Sequence, residues 1–307
     1  MVCVLSHATE NILNPGSWAS FGAEQNINWA LAHGHSFTLL TGDVVPSGMP
    51  LTWSKIWAAE SLLARAACDF GFYLDADAVV HSVTESLEPI IKEFFKPPPV
   101  HMLMSVHELY EPLQGSGHPG DALDCNCSRA TARCSHQAHI AEQAPIPGTR
   151  CNLNTGAFMF RNSNFTATLL RFWRNGANGI CDLTRAGGKT KEQRCAHHLK
   201  ARWPAHVDVV NSRIFNTLEH GGSNCFAPNA TGQRGAPFFV CHMMGTPGAV
   251  RQQLLRRELL GKRAELQRLQ QLRGQPYRQL TDNDGCGVGS SCGEANEPFR
   301  WRLSSVR

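Results

Sequence analysis

The 307-residue sequence contains no apolar run of about 18 residues and nothing that reads as a signal peptide, so no transmembrane helix is expected within it. A strong charge of either sign is also missing. Lys and Arg number 29 against 25 Asp and Glu, a formal +4 spread along the chain except for one basic stretch near the C-terminus. The aromatic-plus-basic patterns of RNA-binding modules are absent, and nucleic acid is not an expected partner. No internal repeat is present.

What the chain has is enough apolar sequence (42%) to build one sizeable core, with length alone allowing one or two domains. Its 14 His fall mostly in loop-like sequence and need no special role. Twelve Cys is high for a cytosolic enzyme of this size, and Asn126, Asn164 and Asn229 each begin an Asn-x-Ser/Thr sequon. Together these favour a secretory-pathway lumen, such as the Golgi, over the cytoplasm. Met1 leads almost directly into a strand, so the chain reads as a catalytic region separated from a membrane anchor; a soluble cytoplasmic protein is the alternative.

Strands and helices alternate. Residues 2–6 read as a buried strand, and Ser20–His33 carries Phe21, Ile27, Ala30 and Leu31 at helical spacing, with Gly34 where a C-terminal cap belongs. Ser36–Thr41 is a second strand, Trp53–Ala67 a helix and Phe72–Val80 a buried strand. Thr84–Phe95 is predicted helical up to Pro97-Pro98-Pro99, and Val100–Val106 extended. Residues 107–150 are rich in Gly, Pro, His and Cys and show no periodicity. Strands follow at Cys151–Phe160, Val207–Val210 and Pro237–His242, with helices from about Asn164 to Trp173 and from Lys191 to Trp203. The pattern predicts βαβ units and a mainly parallel sheet, with ligands beyond the carboxyl ends of its strands. A last helix, Val250–Arg273, carries leucines on one face with seven Lys or Arg and two Glu on the rest. It is expected to pack on the domain with one solvated side, a membrane surface or partner protein being the alternative. The tail beyond Gly274 is expected to be loop-like. The expected organisation is one α/β domain over residues 1–248, with 107–150 an irregular insertion and 249–307 a basic helix and tail.

The chemistry points to FYLDADAVV, Phe72–Val80. Asp75 and Asp77 stand i, i+2, and in an extended chain such side chains share one side. Two carboxylates at a strand end suit a hard divalent cation, Mn2+ or Mg2+, of the kind that neutralises phosphate or diphosphate. A lone Asp-x-Asp is weak, but three other segments accompany it. Trp53 and Lys55 open a helix, where Trp53 reads as core and Lys55 first as a surface residue. A polar kink, Asn154-Thr155-Gly156, interrupts an apolar strand, and His242 ends another with Gly245 beyond it. Cys125, Cys127, Cys134, His136 and His139 have a spacing able to hold Zn2+, though disulfides or irregular structure are favoured there. Cys286 and Cys292 close a small Gly-rich loop.

In order along residues 2–246, the segments Trp53-Ser54-Lys55, Asp75-Ala76-Asp77-Ala78, Leu153 to Asn162, Glu192-Gln193 and His242 to Gly245 resemble a known family. It comprises the α-galactosyl-, α-mannosyl- and xyloglucan xylosyltransferases (GMA12/MNN10-like), which act on nucleotide-sugars and have the fold called GT-A. The resemblance implies a single-domain, Rossmann-like αβα sandwich around a mainly parallel mixed sheet. It implies that Asp75, Asp77 and His242 ligate Mn2+ (or Mg2+), and that Lys55, Asp75, Thr155, Gly156 and Gly245 hold the donor, a UDP-sugar before a GDP-sugar. Asn154, Glu192 and Gln193 would be the catalytic residues, Asn154 in the sugar pocket and Gln193 near the anomeric carbon or the acceptor, a glycan or glycoprotein, with retention at the anomeric carbon. Three features depart from the family. Thr246-Pro247 follow the His-x-x-Gly where a Cys and a diphosphate-gripping Lys are usual, leaving Arg251 as the nearest cation. Glu192 replaces Asp, and residues 107–150 have no counterpart.

Two rivals remain. A haloacid-dehalogenase-type phosphatase would use Asp75 as nucleophile and Asp77 as general acid, although some 70 residues of α/β sequence precede the motif. A degenerate transferase domain that only binds glycans is the non-catalytic reading.

Overall fold

The computed structural model describes residues 1–9, 12–14, 16–42, 44–46, 49–63, 68–96, 100–108, 123–127, 134–138, 150–176, 191–210, 215, 217–218, 239–243, 246–278 and 300–302. In chain order the elements are β1 (Val2–Ala8), α1 (Trp18–Ala32), β2 (Ser36–Thr41), α2 (Ser54–Leu63), β3 (Phe70–Asp75), β4 (Ala78–Val80), α3 (Glu88–Phe94) and β5 (Met102–Glu108). They continue as β6 (Leu123–Cys127), β7 (Cys134–Ala138), β8 (Arg150–Arg161), α4 (Asn164–Gly176), α5 (Lys191–Arg202), β9 (Val207–Val210), β10 (Thr217–Leu218), β11 (Val240–His242), α6 (Gly248–Leu272) and β12 (Arg300–Arg302).

The main sheet runs β12-β2-β1-β3-β8-β5-β9, with the β6–β7 hairpin attached to β8. Strand β1 pairs in parallel with both β2 and β3, and β5 with β9, whereas β8 runs antiparallel between β3 and β5. Because side chains alternate across a strand, each strand feeds two cores. Cys3, Leu5, Tyr73, Met104 and Phe158 face α2, α4 and α5 through Ile56, Trp173 and Leu199. Val2, Val4, Phe72, Leu74 and Met159 face the other way, toward Ile27, Ala30 and Leu266 of α1 and α6. The result is a three-layer αβα sandwich around a mixed sheet, as the alternation of strands and helices predicts. A disulfide joins Cys3 to Cys68 at the base of β1 and β3.

Local chemistry explains the element ends. The Ser17 hydroxyl accepts a hydrogen bond from the Ser20 amide at the start of α1. Gly34 takes the left-handed conformation just past its end, with φ of 71°. Helix α1 is buried almost all round, polar residues included, because α6 lies across its outer side.

Three expectations need correction. Phe72–Val80 is not one extended strand: the chain turns at Ala76-Asp77, and β4 leaves the main sheet to pair antiparallel with β11. The apolar pattern hid this because Ala78, Val79 and Val80 are fully buried in the second sheet too. Residues 107–150 are not wholly irregular, since β6 and β7 form a hairpin whose pairing brings Cys127 opposite Cys134 and Cys125 opposite His136. The tail is not entirely loop, because Arg300–Arg302 adds an antiparallel edge strand beside β2. The Zn2+ grouping is untested, as His139 and the side chains of its strand residues lie outside the described structure, and so do Cys286 and Cys292.

Candidate active site

The turn that breaks the acidic strand is what builds the site. Asp75 is the last residue of β3, opposite His7 of β1, and Asp77 sits in the turn itself. Two buried side chains of α1 hold the chain beyond it. Asn26 binds β4 as a neighbouring strand would, donating to the Ala78 carbonyl (2.9 Å) and accepting from the Val80 amide (3.0 Å). Gln25 donates to the Val80 carbonyl at 2.7 Å. With β4 fixed, β11 pairs with it so that His242 lies opposite Ala78, and the Met243 amide donates to the Asp77 carbonyl. Nothing in the local sequence of α1 announces this role; it depends on packing 50 residues away.

His242 is thereby delivered to the acids. Its Nε2 lies 3.1 Å from Asp77 Oδ1 and 3.8 Å from Asp75 Oδ2. Asp75, Asp77 and His242 offer ligand atoms within 4.8 Å of one another, a grouping able to hold a metal ion. Burial works against charge on Asp77, yet His242 and Arg251 beside it outweigh that and hold its carboxyl down at about 2.

The Asn154-Thr155-Gly156 kink forms as expected. The β5–β8 register jumps from Met104 opposite Phe158 to Ser105 opposite Asn154, so the residues between bulge out of the ladder. The Asn154 carbonyl oxygen of the side chain closes the bulge by accepting from the Gly156 amide at 2.8 Å. Gly156 is required there by proximity. A Cβ at that position would lie 2.1 Å from His242 Cε1 and 2.8 Å from Nε2, so the imidazole rests directly on the glycine backbone.

Lys55 is not a surface residue. It is 4% exposed and reaches from α2 to Asp75 Oδ2 (3.0 Å), Glu192 Oε1 (3.6 Å) and the Thr155 carbonyl (3.3 Å). Burial disfavours its charge, but Asp75 and Glu192 more than compensate and raise its pKa. Glu192, itself buried on α5, is shifted upward by burial against the opposing pull of Lys55. Trp53 is fully buried in the core, as expected. Gln193 is half-buried on α5, and no described contact joins it to the cluster; Gly245 lies outside the described residues.

Tyr73 was not anticipated as a contributor, and Arg251 was expected only as the nearest cation, without a partner. Tyr73, two residues before Asp75 on the same side of β3, hydrogen-bonds that carboxylate and stacks on Phe158; burial, then Asp75, push its phenol well above the ordinary range. Its i−2 position was the available signal. Arg251, in the first turn of α6, places Nη1 3.2 Å from Asp77 Oδ2 and its guanidinium over the Trp18 ring.

Comparisons with known proteins bear on the fold and the family. Curated protein sequences give no significant match. Among solved structures, a glycosyltransferase involved in glycosylation of the major capsid of PBCV-1 aligns at 13% identity and TM-score 0.54, over 83% of this chain and 98% of that one. The galactosyltransferase LgtC, in complex with donor and acceptor sugar analogues, aligns at 13% and 0.46 over 85% and 96%. Mouse xyloside xylosyltransferase 1 aligns at 13% and 0.44 over 80% and 99%. Identity this low speaks to the fold alone, and only the first is near enough in shape to carry weight. A family model is more specific: the one described as galactosyl transferase GMA12/MNN10 matches residues 1–246, which include the acidic turn, the bulge of β8 and His242. With the sheet order, the site at the carboxyl end of β3 and a family match over four fifths of its length all in agreement, this chain belongs to the GMA12/MNN10 galactosyl transferase family and is a GT-A-type glycosyltransferase.

Proposed function

We propose that the chain transfers a hexose or pentose from a nucleoside-diphosphate sugar, UDP-linked before GDP-linked, to a glycan or glycoconjugate acceptor, with retention and with a divalent metal. The carrying observation is the Asp75–Asp77–His242 cluster. Ligand atoms held by one ion at about 2.0–2.2 Å lie up to about 4.4 Å apart. The separations of 3.1 and 3.8 Å to His242 satisfy that bound, and all three ligand atoms lie within 4.8 Å of one another, so closing around an ion asks for only a small shift. Two carboxylates and one imidazole suit Mn2+ somewhat better than Mg2+. When bound, such an ion would stabilise negative charge on the departing diphosphate.

The protein's own residues would do the rest. Lys55 orients Asp75 through their ion pair, while Tyr73 fixes the carboxylate from beneath. The bulge at Asn154, Thr155 and Gly156 would line the sugar pocket, and Glu192 and Gln193 would stand on its acceptor side, with Gly245 near the diphosphate. Each carboxylate of the cluster is engaged by a partner: Asp75 by Lys55, Asp77 by His242 and Arg251, Glu192 by Lys55. None is a ready nucleophile, which supports an internal-return route. The bond from the sugar C1 to the diphosphate oxygen breaks, a phosphate oxygen takes the proton of the acceptor hydroxyl, and the acceptor oxygen bonds C1 on the face just vacated. Family membership sets aside the phosphatase reading of Asp75–Val80.

A lumenal compartment such as the Golgi is supported by the Cys3–Cys68 disulfide and by Cys195 and Cys241, which are also disulfide-bonded. No helix among the described residues is long and apolar enough to cross a membrane. The basic side of α6 is the surface through which membrane association is proposed to run.

The test is a donor-hydrolysis screen over nucleotide-sugars with and without Mn2+, followed by NMR of the product anomer. Mn2+-dependent hydrolysis of a UDP-sugar, lost in Asp77→Asn, is expected. Metal-independent turnover would refute the metal's part, and an inverted anomer the retention.

A further inference from the structure

We propose that Arg251 is a resident counter-ion of the acidic turn, which a divalent ion must displace from Asp77, so that metal and nucleoside diphosphate bind cooperatively. The proposal rests on the metal-dependent reading above and concerns a residue outside the three candidate ligands.

The geometry is that of a built pair. Both oxygens of Asp77 are occupied: Oδ1 faces His242 Nε2 at 3.1 Å, and Oδ2 faces Arg251 Nη1 at 3.2 Å. The guanidinium is held from two further directions. Its Nη2 donates to the Thr246 carbonyl at 2.9 Å, and its Cζ lies 4.5 Å from the centre of the Trp18 ring. The side chains of Arg251 and Asp77 are only 17% and 16% exposed, so water screens this pair poorly. Arg251 is anchored at the start of α6, whose leucines 255, 259 and 266 are buried, which fixes where its stem emerges.

A divalent ion on Asp77 would share the carboxylate with this guanidinium or push it aside. Either way two cations meet in a poorly screened space, and the metal alone binds at a disadvantage. A nucleoside diphosphate brings at least two negative charges to the same place and gives the displaced guanidinium a bidentate partner. The diphosphate then tightens metal binding, and by linkage the metal tightens diphosphate binding by the same factor. Without Arg251 the metal no longer faces a competitor, and most of that coupling is lost.

The experiment measures Mn2+ binding to the full chain from the loss of the free-ion EPR signal, with and without saturating UDP, corrected for the Mn2+–UDP complex formed in solution. Arg251→Met keeps the stem over Trp18 and removes the charge; Arg251→Lys keeps the charge. Without UDP, Arg251→Met should bind Mn2+ about tenfold more tightly than wild type. UDP should tighten Mn2+ binding by wild type and Arg251→Lys about tenfold more than it does for Arg251→Met. Unchanged or weaker Mn2+ binding by a folded Arg251→Met would overturn the proposal. So would wild type whose Mn2+ affinity ignores UDP, a result that needs no variant. Wild type that binds no Mn2+ under either condition would instead overturn the metal reading itself, and this proposal with it.

Discussion

Replacing Gly156 by alanine adds one methyl group at the point where the imidazole of His242 touches backbone. The new carbon would lie 2.1 Å from Cε1, 2.5 Å from Nδ1 and 2.8 Å from Nε2. Ordinary contact begins near 3.4 Å, so the ring or the bulge must give by about 1.3 Å. The backbone itself is no obstacle, because Gly156 is outside the left-handed region. His242 is 2% exposed and paired to Asp77, and it has little room to retreat. Overpacking of this kind costs about 1–3 kcal/mol, which for a domain of this size lowers Tm by several degrees. A displaced ring also leaves Asp77, so Mn2+ affinity should fall about 10- to 100-fold, the range seen when a ligand's support is lost. A double-mutant cycle isolates the cause. In a His242→Ala background the methyl has space, and Gly156→Ala should then cost less than about 0.5 kcal/mol by thermal or urea denaturation. Equal costs in the two backgrounds, or a Gly156→Ala protein with wild-type Mn2+ affinity, would refute the claim that the glycine exists to seat the imidazole.

Lys55→Met removes the cation shared by Asp75 and buried Glu192, and leaving such charges uncompensated should cost about 3–5 kcal/mol in urea denaturation. A loss below about 1 kcal/mol would show that Asp75 and Glu192 do not hold Lys55 as described. His35 is buried against Trp29, and burial above all lowers its pKa from 6.5 to about 4. Above pH 6.5 neither folded nor unfolded chain carries that proton; between 6.5 and about 4 only the unfolded chain does, so acidification favours unfolding. From pH 7 to 5 this amounts to about 2 kcal/mol, or roughly 4 °C in Tm. The His35→Gln protein should lose correspondingly less on the same shift, and an equal loss would contradict the assignment.

Much of the architecture was legible because apolar runs and their punctuation report local geometry. Ser36–Thr41 and Val207–Val210 are strands at the predicted bounds, and Gly34 ends α1 as a left-handed residue must. The polar kink in β8 could be read because Asn-Thr-Gly interrupts an otherwise apolar strand. The turn inside Phe72–Val80 could not, since burial on both sides of it looks the same in one dimension and the force that bends the chain comes from Asn26 on α1. The hairpin at 123–138 was missed because its strands lack apolar alternation. The surface reading of Lys55 failed for a related reason: a lysine buried by two acids, one 20 residues away and one 137, carries no local mark. Arg251 was visible as a nearby cation, but its reach to Asp77 depends on how α6 docks against α1.

Asp75, Asp77 and His242 are proposed to share one divalent ion. Crystals grown with Mn2+ and UDP, with data collected near the manganese edge, test it directly. A single strong anomalous peak is expected about 2.2 Å from an oxygen of each aspartate and from His242 Nε2. A peak elsewhere on the chain, or bound UDP with no peak among these three side chains, would contradict it.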